Sequence, residues 1–131
     1  MFSIPLAAPV SVMATPDAGD AWSTPVNVSA TTFNAYTTRI DSQAVLDSAG
    51  NIHFTYHGYW DIPINGSHEE IYYINNIGGS WSVPYNVTRN ELVDYHSAIA
   101  VDSLNRLHVT YSGNNGTDYE IFYTMFDGST W

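Results

Sequence analysis

The feature that most constrains this chain is that it repeats itself. Residues 42–58 (SQAVLDSAGNIHFTYHG) and 97–113 (SAIAVDSLNRLHVTYSG) align at an offset of 55, keeping Ser42/Ser97, Asp47/Asp102, His53/His108, Thr55/Thr110, Tyr56/Tyr111 and Gly58/Gly113. Residues 69–81 (EEIYYINNIGGSW) align with 119–131 (YEIFYTMFDGSTW) at an offset of 50. WSTPVNVS at 22–29 recurs as WSVPYNVT at 81–88, at an offset of 59. The difference between the first two offsets falls in the connection between their blocks. Three blocks in one fixed order mark a supersecondary unit used more than once, and such units bury their faces against neighbours rather than alone.

Each block reads as a strand. Ile52, Phe54 and Tyr56 alternate with His53, Thr55 and His57, and Leu107, Val109 and Tyr111 alternate with His108 and Thr110, a period of two. The runs 71–74 and 121–125 are apolar on both faces, as in a sheet covered on both sides. The runs 43–47 and 98–102 are rich in Ala and Val, small enough for strands converging on an axis. Asp47-Ser-Ala-Gly50 and Asp102-Ser-Leu-Asn105 carry turn chemistry. No stretch combines a helical period with caps, so the fold class is all-β. Four short strands per unit of about 50 residues, buried on both faces, predict four-stranded antiparallel β-propeller blades. The predicted organisation is the end of a preceding blade at 1–29, a complete blade at 30–88 and an incomplete one at 89–131. That makes two to two and a half blades of an incomplete propeller. A β-sandwich is the competing architecture, but it does not require a recurring block order.

Composition closes several other doors. Three arginines and no lysine face 13 acidic residues, for a formal charge of −10. That excludes a binder that works by neutralising phosphates, so nucleic acid is not an expected partner. It also disfavours docking on anionic lipid. No apolar run approaches the roughly 18 residues of a membrane span. Cysteine is absent, which removes disulfides, thiolate metal sites and thiol nucleophiles.

The Gly-x-x-Trp turns carry a more specific likeness. Thr15-Pro-Asp17-Ala-Gly19-Asp-Ala-Trp22 follows the Asp-box pattern Ser/Thr-x-Asp-x-Gly-x-Thr-Trp, with Ala21 in place of the last Thr. Ile74-Asn-Asn76-Ile-Gly78-Gly-Ser-Trp81 is a degraded copy with Asn76 at the Asp position. Thr124-Met-Phe126-Asp-Gly128-Ser-Thr130-Trp131 has Phe126 there and Asp127 one place late. From about residue 15 to 131 the chain therefore resembles the Asp-box (BNR) repeat propellers, the sialidase-like group. The resemblance implies that each box is structural, a turn between strands three and four of a blade, away from the active face. It implies roles for Asp17, Gly19, Trp22, Asn76, Gly78, Trp81, Gly128 and Trp131 in those turns.

The same resemblance raises an exo-sialidase-like glycosidase as one function. Such enzymes use three arginines on a substrate carboxylate, a tyrosine nucleophile with a glutamate, and an aspartate acid/base. This chain has only Arg39, Arg89 and Arg106, and Thr38-Arg39-Ile40-Asp41 lacks the expected aromatic and Pro. A complete catalytic set is not expected within it, and no catalytic residue is assigned. Any glycosidase activity would rest mostly on residues outside this chain.

The histidines show no zinc-type spacing; His53 and His108 are repeat-equivalent and read as structural. No metal or cofactor is expected. Calcium is the cation to consider with 13 carboxylates, but no Asp-x-Asp-x-Asp-Gly loop occurs.

Ligand contact is expected at loops. Tyr59, Trp60 and Asp61 fall in the long segment 57–68 between strands two and three, where paired rings beside a carboxylate form a stacking platform for sugars. The shorter counterpart is 112–117. The alternative is that one ring tucks into the blade edge. Tyr36, Arg39, Tyr95 and His96, in segments leading into the first strand of each unit, are the second group of candidates. The expected partner is a glycan or protein ligand, the expected location extracellular or at the cell surface. Asn-x-Ser/Thr sequons at Asn27, Asn65, Asn86 and Asn115 matter only in a eukaryotic secretory host.

Residues 1–14 read either as a signal-peptide tail or as a strand leading into the first box. The box that follows favours the strand. With a unit of 50–59 residues, 131 residues hold little more than two repeats. The expectation is a piece of a longer propeller, or several copies closing a ring.

Overall fold

The computed structural model describes residues 23–29, 35–36, 44–60 and 68–131. All regular structure among them is strand apart from one 3-10 turn, Ile77–Gly79. The strands are β1 (Ala35–Tyr36), β2 (Ala44–Leu46), β3 (Ile52–Trp60), β4 (His68–Asn75), β5 (Tyr85–Asn86), β6 (Asp94–Val101), β7 (Leu107–Asn114) and β8 (Tyr119–Phe126). They form two antiparallel sheets, which establishes the all-β class. Sheet A has the order β1-β3-β4-β5, with β2 also pairing with β3; sheet B has the order β6-β7-β8.

Register explains why the units align with unequal offsets. Ala44↔Phe54 and Val45↔His53 in sheet A match Ile99↔Val109 and Ala100↔His108 in sheet B. Ala35↔Gly58 and Tyr36↔His57 match Asp94↔Gly113 and Tyr95↔Ser112. Thus β1 and β2 together correspond to the single strand β6. The shift in β6 register between Tyr95 and Ala98 is a β-bulge, and it falls where the chain of sheet A passes from β1 to β2.

The β2–β3 and β6–β7 turns form as their sequences require. Asp47 Oδ1 accepts the Ala49 and Asn51 amides, and Asp102 Oδ1 accepts those of Leu104 and Arg106. Gly50 takes φ 82°, a conformation that costs glycine little, and Asn105 takes φ 60° at the equivalent stage of its turn. The two turns also meet. Ser48 N–H donates to Asn105 Oδ1 at 2.9 Å, and Asn105 Nδ2 donates to Ser48 Oγ at 2.7 Å.

Sheet B lies on one face of sheet A. Tyr73 of β4 is buried with Ile99, Leu107 and Val109 of sheet B, and Val45, Val87, Val101, Phe126 and Trp131 pack around them. A buried Ser97 Oγ–H donates to Thr55 Oγ1 at 3.1 Å across the same seam. Burying each of these apolar side chains contributes about 1.5–3 kcal/mol relative to exposure. The opposite face of sheet A carries a second cluster of Tyr56, Tyr72 and Ile74, flanked by Val28, Phe54 and Trp81.

Several strand limits differ from those read in the sequence. Strand β3 runs to Trp60 rather than ending at His57, because Gly58, Tyr59 and Trp60 pair with Glu70, Glu69 and His68. Strand β6 begins at Asp94 rather than at Ala98, because the bulge absorbs the break in its period. Strand β7 extends to Asn114. The WSVPYNVT block supplies only the two-residue strand β5.

Candidate functional site

One histidine stands out at the bulge. His96 adopts φ 57°, a left-handed conformation uncommon for a side-chain-bearing residue and shared among the described residues with Arg89 and Asn105. The bulge sets its ring edge-on to Tyr95, with centroids 4.4 Å apart. It also reaches the neighbouring sheet, where His57 lies 6.3 Å away at an interplanar angle of 88°. Tyr95 in turn lies 5.3 Å from Tyr119 at the start of β8. The site therefore spans both sheets, at the end where β3 and β7 finish and β4, β6 and β8 begin.

Two of its groups are shifted from their ordinary ionisation, in directions set by burial and neighbouring groups. Burial pushes the His57 imidazole below its usual pKa, with Glu69 opposing that shift and His96 reinforcing it. At neutral pH His57 is thus an uncharged ring with one donor and one acceptor. Burial, the Tyr119 hydroxyl and the charge of Glu69 raise the Tyr95 phenol. Ring faces, phenol hydroxyls, imidazoles and a nearby carboxylate suit stacking and hydrogen bonding.

The candidates fall unevenly around this cluster. Tyr95 and His96 belong to it, as strand residues rather than residues of a loop. Tyr36 pairs in register with His57 and so stands at the position in sheet A that Tyr95 holds in sheet B. Tyr59 and Trp60 lie on β3, not in a loop, in register with Glu69 and His68. Asp61 and Arg39 lie outside the described residues. Arg106 is at the opposite end of sheet B, its Nε donating to Asp102 Oδ2 at 2.6 Å. Arg89 follows β5 with its guanidinium 6.0 Å from the Tyr85 ring centroid. These two arginines are not brought together. His57 and Tyr119 were missed because each is an ordinary member of a strand pattern. The bulge that gathers them shows in the sequence only as extra residues.

A second polar group lies close by and was not foreseen. Glu70 and Asp94 are both buried. Thr88 Oγ–H donates to Glu70 Oε2, the Asn90 amide donates to Glu70 Oε1 at 3.0 Å, and Asn90 Nδ2 donates to Asp94 Oδ2 at 2.5 Å. Burial raises both carboxyl pKa values. For Glu70 the hydrogen bond from Thr88 opposes the rise and the charge of Asp94 adds to it; for Asp94 the Asn90 amide opposes it. These bonds fasten the segment from β5 to β6, which carries the chain from one sheet to the next.

At the other end of the sheets each unit holds the same three-residue chain. His53 Nε2 lies 3.3 Å from Asp47 Oδ2 and its Nδ1 lies 2.6 Å from the Tyr73 hydroxyl. The His108 distances to Asp102 and Tyr123 are 3.2 and 2.8 Å. A carboxylate only accepts, so in the neutral ring Nε2–H donates to Asp and Nδ1 accepts the tyrosine proton. The Asn51 side chain, acting with the Asn51 amide and His53 and against burial, lowers the Asp47 pKa to about 2.

The box residues sit at this end as well. Asn76 Oδ1 accepts the Ile52 amide at 2.6 Å, tying its turn to β3. In the last turn Asp127 Oδ1 accepts the Ser129 and Thr130 amides at 2.8 Å each, so the carboxylate one place late holds that turn. Gly78 and Gly128 take φ 79° and 103°. Trp81 packs against the Tyr56–Tyr72–Ile74 cluster, and Trp131 packs on Tyr73 and Phe126 at 5.3 Å each. Asp17, Gly19 and Trp22 lie outside the described residues. A groove of about 560 Å³ beside Trp131 is lined by Tyr73, Tyr85, Phe126 and Ser129 among others. It lies along the seam between the sheets, remote from the His96 cluster.

Among the described residues no three of His, Asp or Glu are arranged to hold a metal ion. No helix among them is long and apolar enough to cross a membrane. Comparison with protein-family models, curated proteins and solved structures found no match to this chain.

Proposed function

We propose that the chain is a ligand-binding module built from Asp-box β-propeller blades and that it takes a glycan at the His96 cluster. Support for the blades comes from two repeat-equivalent sheets stacked face to face, with the first strand of the second unit against the middle of the first. Support for the site comes from one observation above the others: left-handed His96, which brings Tyr95, His57 and Tyr119 together across two sheets. Backbone strain of about 1–3 kcal/mol persists where the surrounding structure imposes it, and it concentrates at ligand sites. Sugar rings offer what these groups recognise, a C–H face for stacking and hydroxyls for imidazole and carboxylate. Such a module belongs to a secreted or surface protein.

The hydrolase reading draws support from the raised pKa values of Glu70 and Asp94, since perturbed carboxyl groups cluster at catalytic centres. Both carboxylates, however, already accept hydrogen bonds from the chain segment that they fasten. Glycan-array binding without hydrolysis of a fluorogenic sialoside is the expected result. Replacing His96 with Gly separates function from folding, because glycine relieves the left-handed strain and removes the ring. The variant should be at least as stable as the parent and lose glycan binding. Full binding by a folded His96→Gly variant would end this assignment.

A further inference from the structure

Two tyrosines meet on the face of sheet B turned away from sheet A. The β6–β7 register sets Tyr95 beside Ser112, and the β7–β8 register sets Tyr119 beside Asn114. Ser112 and Asn114 are two residues apart on β7, so they and their partners share one face of the sheet. Leu107 and Val109, on the other face, are the residues packed against sheet A. The two rings lean toward each other over β7, with centroids 5.3 Å apart and planes tilted by 45°. After burial, the hydroxyl of Tyr119 is the next group that raises the Tyr95 phenol pKa, so the phenol oxygens lie close together.

Other tyrosines meet only one of two conditions, contact with a second phenol or access from solvent. Tyr56 and Tyr72 are stacked with centroids 5.5 Å apart, but each is 2% exposed. Tyr85 and Tyr123 are exposed, but they stack on Trp131 and His108. Tyr95 and Tyr119 combine the two, with Tyr119 52% exposed. A sheet laid over this face leaves the position accessible. Glu69 is the counterpart of Tyr119 at the offset of 50. It shares the face of sheet A on which Tyr73 packs against sheet B, and it is still only half-buried there.

We propose that Tyr95 and Tyr119 form an oxidative cross-linking site, joined by a haem peroxidase with hydrogen peroxide. One electron and one proton leave each phenol, and the two radicals couple through a ring carbon ortho to each oxygen. The hydrogen on each coupled carbon moves to the oxygen of its own ring, which restores both aromatic rings. The chain loses two hydrogen atoms, and one peroxide becomes two waters. The new carbon–carbon bond ties β6 to β8 across β7, at the end that carries the His96 cluster. With no cysteine in the sequence, a disulfide cannot make that tie. Coupling needs no glycan, so it stands or falls apart from the glycan assignment.

Trypsin separates the two tyrosines. The chain has no lysine, so cleavage follows its arginines; Tyr95 is the sole tyrosine of fragment 90–106, and Tyr119 lies in fragment 107–131. The 131-residue chain is treated with a haem peroxidase and hydrogen peroxide at about 1 µM, far below the roughly millimolar effective concentration of two groups held on one chain. The expected product has the mass of a single chain less two hydrogens, shows dityrosine fluorescence, and releases 90–106 joined to 107–131. Tyr119→Phe keeps the ring and should lose the joined fragment. Tyr123→Phe removes an exposed hydroxyl from the same fragment and should retain it. Absence of the joined fragment in the parent, its survival in Tyr119→Phe, or its appearance only in products of twice the chain mass would overturn the proposal.

Discussion

Substituting Gly113 with alanine tests how the segment joining the sheets is held. Gly113 lies opposite Asp94 in the β6–β7 register. A Cβ at position 113 would stand 2.4 Å from Asp94 Oδ1, 2.8 Å from Phe122 Cδ2 and 3.0 Å from Phe122 Cε2. Neither neighbour yields easily. The Asp94 carboxylate is buried and held by Asn90 Nδ2, and the Phe122 ring is stacked on Tyr111 with centroids 5.5 Å apart. Overpacking of this kind costs about 1–3 kcal/mol, and two clashes against fixed groups place this case near the upper end. With a urea m-value near 1–1.5 kcal/mol/M, the unfolding midpoint should fall by about 2 M. Gly50→Ala provides the contrast, because nothing lies within 4 Å of its added Cβ and only the left-handed φ of 82° is penalised, at about 1–2 kcal/mol. The cycle with Asp94→Ala then isolates the clash: Gly113→Ala should cost at least about 1 kcal/mol less once the carboxylate is gone. Urea unfolding followed by tryptophan fluorescence supplies all the values. A midpoint for Gly113→Ala within experimental error of the parent would refute the reasoning, as would a cost indifferent to Asp94.

The repeated His–Tyr contact gives a paired experiment. Tyr73→Phe leaves buried His53 Nδ1 without its phenol and should cost about 1–3 kcal/mol, while Tyr123→Phe, at an exposed position, should cost no more than about 0.5 kcal/mol. Equal urea midpoints for the two would count against the burial difference. Stability should peak on the mildly acid side. Glu70 and Asp94, with raised pKa values, favour the native state most when protonated, and that contribution is lost as pH rises from about 4 through their folded values. Asp47 and Asp127, lowered to about 2, contribute above their usual 3.8 and lose it as pH falls toward 2. Urea midpoints between pH 2 and 8 should show both limbs, and Glu70→Gln should flatten the upper one; a midpoint that climbs from pH 5 to 8 would contradict the assignment. At the ligand site, Tyr95→Ala should weaken glycan binding at least tenfold by calorimetry with no change in the Asp47-dependent acid limb, and unchanged affinity would remove Tyr95 from the site.

Much of the fold is written locally and is therefore legible. Asp47 and Asp102 each accept two amides of their own turn, a geometry fixed within five residues, so the Asp-x-x-Gly/Asn turns and the strands on either side can be read from the string. What could not be read depends on partners distant in sequence. Gly58-Tyr59-Trp60 breaks the alternation of β3 and looks like a loop, yet its pairing with His68–Glu70 keeps it in the sheet. His96 and Ser97 break the period of β6 because these two bulge residues stand opposite the single residue Tyr111. Glu70 and Asp94 are charged, and charged residues are mostly exposed, so nothing in the string marks these two as buried. Only the donors of Thr88 and Asn90 make their burial tolerable. Repeat comparison does not expose the pair either, since Asp94 corresponds to Ala35.

The two Asp–His–Tyr chains separate what a repeat encodes from what its position decides. Asp47–His53–Tyr73 and Asp102–His108–Tyr123 make the same contacts within 0.2 Å of each other. One tyrosine is nevertheless buried and the other largely exposed. Local sequence therefore sets the geometry, and a neighbouring sheet sets the burial. A sheet evolved only for the outer position would have no use for Ile121 and Tyr123 on its open face, because exposed aromatic and aliphatic rows on an unpaired edge invite association. Their presence at the positions where Ile71 and Tyr73 are covered is explained if that face, too, is covered when the protein works.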